Sequence, residues 1–94
     1  MRVLIPVDHP VPTRTLLERC LRFADAGPCT VVLAHVAELG DAADQIAIRA
    51  YLAGATQALR QAGLDAMYVV RDGAPSVEIA RLAHELDAHL LIPA

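Results

Sequence analysis

Arg2-Val3-Leu4-Ile5-Pro6-Val7-Asp8-His9-Pro10 opens the chain with an apolar run closed by a turn cluster. A short apolar stretch bounded by turn residues reads as a strand buried on both faces. Pro6 donates no hydrogen bond and sits poorly in a central strand. Close to the strand's carboxyl end that objection weakens. The reading is therefore a buried strand over Arg2–Val7, with Asp8 and His9 at its exit.

The sequence after this strand alternates between helical and extended patterns. Leu16, Leu17, Cys20, Leu21, Phe23 and Ala24 recur at spacings of one, three and four, which predicts a helix reaching Ala26. Thr15 and Glu18 have capping-box spacing and would start it at Leu16. Pro12 or Thr13 offers an earlier start, and Gly27-Pro28 a stop. Thr30–Val36 is a second strand with a β-branched beginning. Asp41 is a candidate N-cap for an alanine-rich helix, and Asp44 suits its first turn. This helix runs to Ala62, with Gly63 as its stop. Ala66–Val70 is a third strand, and Asp72-Gly73-Ala74-Pro75 a turn with Pro75 as the first helical residue. Val77, Ile79, Ala80, Leu82, Ala83 and Leu86 form the expected buried side of a third helix. His89-Leu90-Leu91-Ile92 is a fourth strand.

The order β-α-β-α-β-α-β predicts an α/β fold, an open parallel sheet of four strands with helices on both faces. Right-handed crossovers leave few topologies. With the first strand central, a topological switch point lies beside it, where ligands of open α/β sheets bind. That rim would carry Asp8, His9, Val36, Ala37, Pro93 and Ala94. The 94 residues form one domain, 1–94, without linker, repeat or low-complexity tract.

Composition excludes several function classes. Hydrophobic residues are 55% and charged ones 20%, which is incompatible with disorder. Net charge is −3 and the eight basic residues, all Arg, are scattered, so the electrostatic footprint of a nucleic-acid binder is missing. Aromatics are 3% with no Trp, too few for a base-stacking platform. No run reaches the length of a transmembrane helix. Pro6 and Asp8 come too early for a signal peptide, so no membrane partner and a cytoplasmic location are expected. Two cysteines, Cys20 and Cys29, make neither a disulfide framework nor a zinc site.

Several segments resemble universal stress protein domains. Val3-Leu4-Ile5-Pro6-Val7-Asp8 resembles their opening strand, I-L-V-P-V-D, and Ala34-His35-Val36 their L-H-V. Leu59-Arg60-Gln61-Ala62-Gly63-Leu64 resembles the close of their second helix. Val70–Pro75 with Ile79 and Ala80 resembles their G-x-P-x-x-x-I-x-x-x-A segment, and Leu90-Leu91-Ile92 their L-I-V. The resemblance covers nearly the whole chain. It implies strand order 3-2-1-4 in a Rossmann-like, adenine nucleotide alpha hydrolase-like architecture. It also implies an adenine or nucleoside crevice formed by Pro6, Val7, Asp8, His9 and Val36, with Asp8 and Val36 matching the family's base-contacting residues.

ATP-binding members carry M-G followed by G-x2-G-x9-G-[ST], a loop that cradles phosphates through backbone N–H groups. The 94 residues contain no such loop. The expectation is a C-terminally truncated family member without tight ATP binding or resident cofactor, taking at most an adenine nucleotide or nucleoside weakly. A homodimer is the expected assembly, through the edge at Leu90, Leu91 and Ile92. An alternative is an AMP- or ATP-binding stress protein whose phosphate contacts come from a partner. Another, from a different class, is a small-molecule enzyme using Asp8 and His9.

Individual residues carry plainer readings beside these. Asp8 also fits a strand-end cap, and His9 before Pro10 a solvated turn residue. His35 between Ala34 and Val36 reads as a structural histidine. His84 and His89 lack the i, i+4 spacing of a helical metal site, so no metal is expected. Cys20 reads as a small buried hydrophobe. Ser76 after Pro75 suits first-turn capping and lacks the G-x-S-x-G of a nucleophile. No catalytic constellation is apparent, so no enzyme activity is expected.

Overall fold

The computed structural model describes residues 1–8, 10–24, 27–38 and 42–90; for 23, 24, 42–44 and 90 the description covers the backbone. His9, Gly40, Asp41, Leu91, Ile92, Pro93 and Ala94 lie outside the described residues. The elements are β1 (Arg2–Pro6), α1 (Thr13–Ala24), β2 (Thr30–Ala37), α2 (Ala42–Gln61), β3 (Asp65–Asp72), α3 (Pro75–Glu85) and β4 (His89–Leu90). The strands form one parallel sheet in the order β3-β2-β1-β4. The expected alternation and strand order are both present. Of the expected fourth strand, His89 and Leu90 are described.

Both faces of the central strands are buried, because alternate residues meet different helices. Val3, Ile5, Val7, Val31 and Leu33 share one core with Leu16 and Cys20 of α1 and Ile48, Leu52, Ala55 and Leu59 of α2. Leu4, Val32 and Ala34 share a second core with Leu82 of α3. Each fully buried Leu, Ile or Val contributes about 1.5–3 kcal/mol.

Pro6 fits because of where its missing donor falls. The Val7 N–H donates to the Ala34 carbonyl at 2.7 Å, so odd residues of β1 aim their backbone groups at β2. Pro6 therefore lacks its donor on the β4 side, and the ladder to β2 stays intact.

Three expectations about the helices are corrected. α1 starts at Thr13, and the N–H groups of Thr15 and Leu16 already donate to the Pro12 carbonyl at 2.9 and 3.4 Å. Thr15 is thus inside the helix and caps nothing; Glu18 pairs with Arg14 at 3.3 Å instead. Leu21 and Val77, both expected on buried faces, are 43% and 47% exposed. Each lies five positions from the buried centre of its helix, Leu16 or Leu82, and is rotated about 140° away from it. Ala80 is exposed for the same reason. Ser76 does not cap α3. The N-cap is Ala74, without a side-chain bond, and Pro75 occupies the first turn.

The helix stops follow backbone chemistry. Gly63 has φ +90°, its N–H donates to the Arg60 carbonyl, and the Leu64 N–H donates to the Leu59 carbonyl, both at 3.0 Å. This is a Schellman closure, with buried Leu64 and Leu59 as its apolar contact. α3 closes in the same way on Asp87, at φ 48°, with Asp87 donating to His84 at 3.2 Å and Ala88 to Ala83 at 2.9 Å.

Candidate functional site

β1 lies between β2 and β4, and the strand succession reverses there, so the switch point lies at the carboxyl end of β1, between β1 and β4. Pro6 registers with Ala34. Asp8 stands two residues past Pro6 and Val36 two residues past Ala34, so both lie at the carboxyl ends of neighbouring strands. Val36 in turn registers with Arg71 of β3. Asp8, Val36 and Arg71 therefore all lie toward the carboxyl ends of the strands.

The sequence-predicted residues do not form one group. Asp8 is exposed and Pro6 half-buried. Val36 is buried, following Val32 and Ala34 on the α3 side of the sheet. Val7 is buried on the opposite side, within the α1–α2 core, so its side chain points away from Val36. His9 lies outside the described residues. The structure thus brings together Pro6, Asp8 and Val36.

His35 has the structural role expected of it. Its Nδ1 lies 2.7 Å from the Val7 carbonyl oxygen. A carbonyl only accepts, so Nδ1 carries the proton and donates. The contact satisfies the carbonyl at which β1 leaves the sheet, and it anchors the residue before Asp8.

Arg71, Glu78 and Glu85 are rim residues that the sequence reading missed. Arg71 Nη1 and Nη2 donate to the two carboxylate oxygens of Glu85, a fork-to-fork pair. Glu78 Oε2 lies 3.6 Å from Arg71 Nη1, and Arg81 Nη1 lies 2.9 Å from Glu78 Oε1. The hydrogen bond to Glu85 raises the Arg71 pKa and lowers that of Glu85. Glu78 is seated by Gly73, where φ is +135° and an added Cβ would meet Glu78 Cγ at 3.2 Å. A signal was available: Glu78 and Glu85 are seven residues apart, hence on one helix face, shortly after a strand that carries Arg71 near its end.

This network sets the electrostatics of the rim. Two guanidinium groups are matched by two carboxylates, and Asp8 and Asp72 add negative charge. Arg71, the one arginine at the carboxyl ends of the strands among the described residues, is already paired. Among the described residues no group of three His, Cys, Asp or Glu side chains lies close enough to hold a metal ion. A cleft of about 360 Å³ lined by Met1, Cys29, Thr30, Leu64 and Asp65 lies at the opposite, amino end of the strands. None of the predicted site residues lines it.

The universal stress protein family model matches residues 1–93. The chain belongs to the universal stress protein family. Solved structures agree on the fold of this family member. A universal stress protein from Archaeoglobus fulgidus superposes with a TM-score of 0.79 at 20% identity, over 98% of this chain and 73% of that one. A universal stress protein family member from Burkholderia pseudomallei gives a TM-score of 0.70 at 17% identity, over 99% of this chain and 80% of that one. No curated protein matches the chain. No helix among the described residues of this stress-family chain is long and apolar enough to cross a membrane.

Proposed function

We propose that this chain is a binding module that takes the nucleoside part of an adenine nucleotide at the rim formed by Pro6, Asp8 and Val36. The observation that carries this reading is that exposed Asp8 follows β1 at its carboxyl end, beside the strand whose carboxyl end holds buried Val36. A carboxylate there accepts hydrogen bonds from an amino-purine edge, while Pro6 and Val36 offer apolar contact to the ring. Among the described residues, the rim cation Arg71 is held by Glu85 and Glu78 and is not free to meet a phosphate. Binding rather than catalysis is the activity these groups support.

Thermal unfolding with millimolar adenosine, AMP and ATP tests the proposal. A ligand at a hundred times its Kd adds about 2.7 kcal/mol. For a domain of this size that is a rise of several degrees in Tm. The expected result is a similar rise with all three, lost in Asp8→Ala. A larger rise with ATP than with adenosine would show that phosphates are held, and no rise with any of them would remove the nucleoside reading.

A further inference from the structure

The cleft at the amino ends of the strands lies at the far end of the sheet from Asp8 and Val36. Its volume, about 360 Å³, is that of a small-molecule pocket. Gly27, Pro28 and Cys29, before β2, form one wall; Gly63, Leu64 and Asp65, at the entry to β3, form the other. Both walls are fixed by the fold. The Schellman closure of α2 holds Gly63 and seats Leu64 in the core. The Thr30 N–H donates to the Met1 carbonyl at 2.8 Å, and Thr30 Oγ1 donates to Asp65 Oδ2 at 2.9 Å, which ties the two walls together. A Cβ added at Gly27 or Gly63 would meet nothing within 4 Å, so the space beside both glycines is open.

The electrostatics of this end favour a cation. The closure of α2 uses the Leu59 and Arg60 carbonyls and leaves those of Gln61 and Ala62 without a backbone donor among the described residues. Such a helix end carries about half a negative charge. Asp65 adds a carboxylate. Its Oδ2 is held by Thr30, and among the described residues it has no ion-pair partner. Arg2 and Arg60 are committed elsewhere and do not line the cleft. Arg2 Nη1 donates to the Leu86 carbonyl at 2.8 Å, and Arg60 Nε to the Ala66 carbonyl at 2.9 Å. The Met1 ammonium is also satisfied, donating to the Pro28 carbonyl at 3.1 Å.

We propose that this cleft is a binding site for a small organic cation, a primary amine or guanidine, with Asp65 as its counter-ion. The cationic head donates to Asp65 and to the carbonyls that end α2, and the alkyl chain lies against Pro28 and Leu64. Charge-assisted hydrogen bonds of this kind are the strong ones. An anion is repelled by Asp65 and by the helix end alike. The site does not depend on the nucleoside reading, because it occupies the opposite end of the strands.

Titration with millimolar agmatine, followed by amide NMR at constant ionic strength, tests it. Agmatine carries both an ammonium and a guanidinium. The expected result is saturable shifts centred on the amides of Gly27, Cys29, Thr30, Gly63 and Asp65. Asp65→Asn, which keeps a side-chain oxygen for Thr30, should weaken binding about tenfold or more. Asp8→Ala should bind agmatine as the unaltered chain does, and Asp65→Asn should leave any response to adenosine unchanged. Shifts that fail to saturate, or that centre on Asp8 and Asp72, overturn the proposal. So does full affinity in Asp65→Asn, or the same shifts from an equivalent rise in sodium chloride.

Discussion

Cys20 and Cys29 show how environment separates two identical side chains. Cys20 is fully buried in the α1–α2 core, and burial, followed by the nearby Cys29, pushes its pKa from 9.0 to about 11. Near neutral pH it is a protonated thiol, whereas the thiolate is the reactive form. Cys29 is half-buried at the entry to β2. A disulfide-exchange reagent should therefore label one thiol per native chain, at Cys29, and two after denaturation. Rapid labelling of both native thiols would show that α1 opens readily. Cys20 was recognisable from helical periodicity as a small core hydrophobe. Thr56 was not recognisable: it is buried in α2 and its hydroxyl has no partner among the described residues. Spacing identifies a helix face, but it does not report whether a hydroxyl on that face finds an acceptor.

Elements here are joined by contacts that periodicity does not reveal. Arg71 of β3 is held by Glu78 and Glu85 of α3, and this clamp fixes α3 against the end of the strand it follows. Its pH dependence has a defined sign. The bond to Arg71 lowers the Glu85 pKa from its ordinary 4.5 in the folded state. A lowered folded-state value means the stabilisation is complete above the ordinary glutamate range and is lost as pH falls through the folded value. Urea titrations of Glu85→Gln should thus differ from the unaltered chain at pH 7 and converge with it in the acid limb, below the ordinary value. A difference that persists undiminished at low pH would assign the effect to packing. Salt should reduce the difference at pH 7, since Arg71 and Glu85 are solvent-accessible. The helix ends divide similarly. Gly63 announced the end of α2, because a C′ glycine is the common solution to a left-handed φ. The equivalent closure on Asp87 carried no such mark.

For the whole molecule, the two faces of the sheet are covered unequally. Among the described residues the α1–α2 side has thirteen buried core residues and the α3 side four. Leu82 is the one buried residue of α3 and the main anchor of that side. Leu82→Ala should cost about 2–5 kcal/mol by loss of burial and by the cavity left behind. A domain of this length has roughly 5–14 kcal/mol in total, so the variant should be marginal at 37 °C. Urea unfolding followed by circular dichroism measures this. A cost below about 1 kcal/mol would mean that α3 re-seats on Ile79 and Leu86.

The amino-acid sequence by itself determined the element types and their alternation, and with them a parallel α/β sheet. Strand burial, helical spacing and turn residues are short-range signals, written within a few neighbouring positions. Asp8 was legible as a rim residue, because the end of a strand is a local fact. The register of Val36 with Arg71 was not, since register is set by hydrogen bonds between segments about thirty residues apart. Tertiary structure also decided which flank of each helix stayed wet, leaving Leu21 and Val77 exposed. Periodicity defines a stripe, but the width of the stripe that is covered depends on what packs against it. Three helices cannot cover every apolar position of this chain.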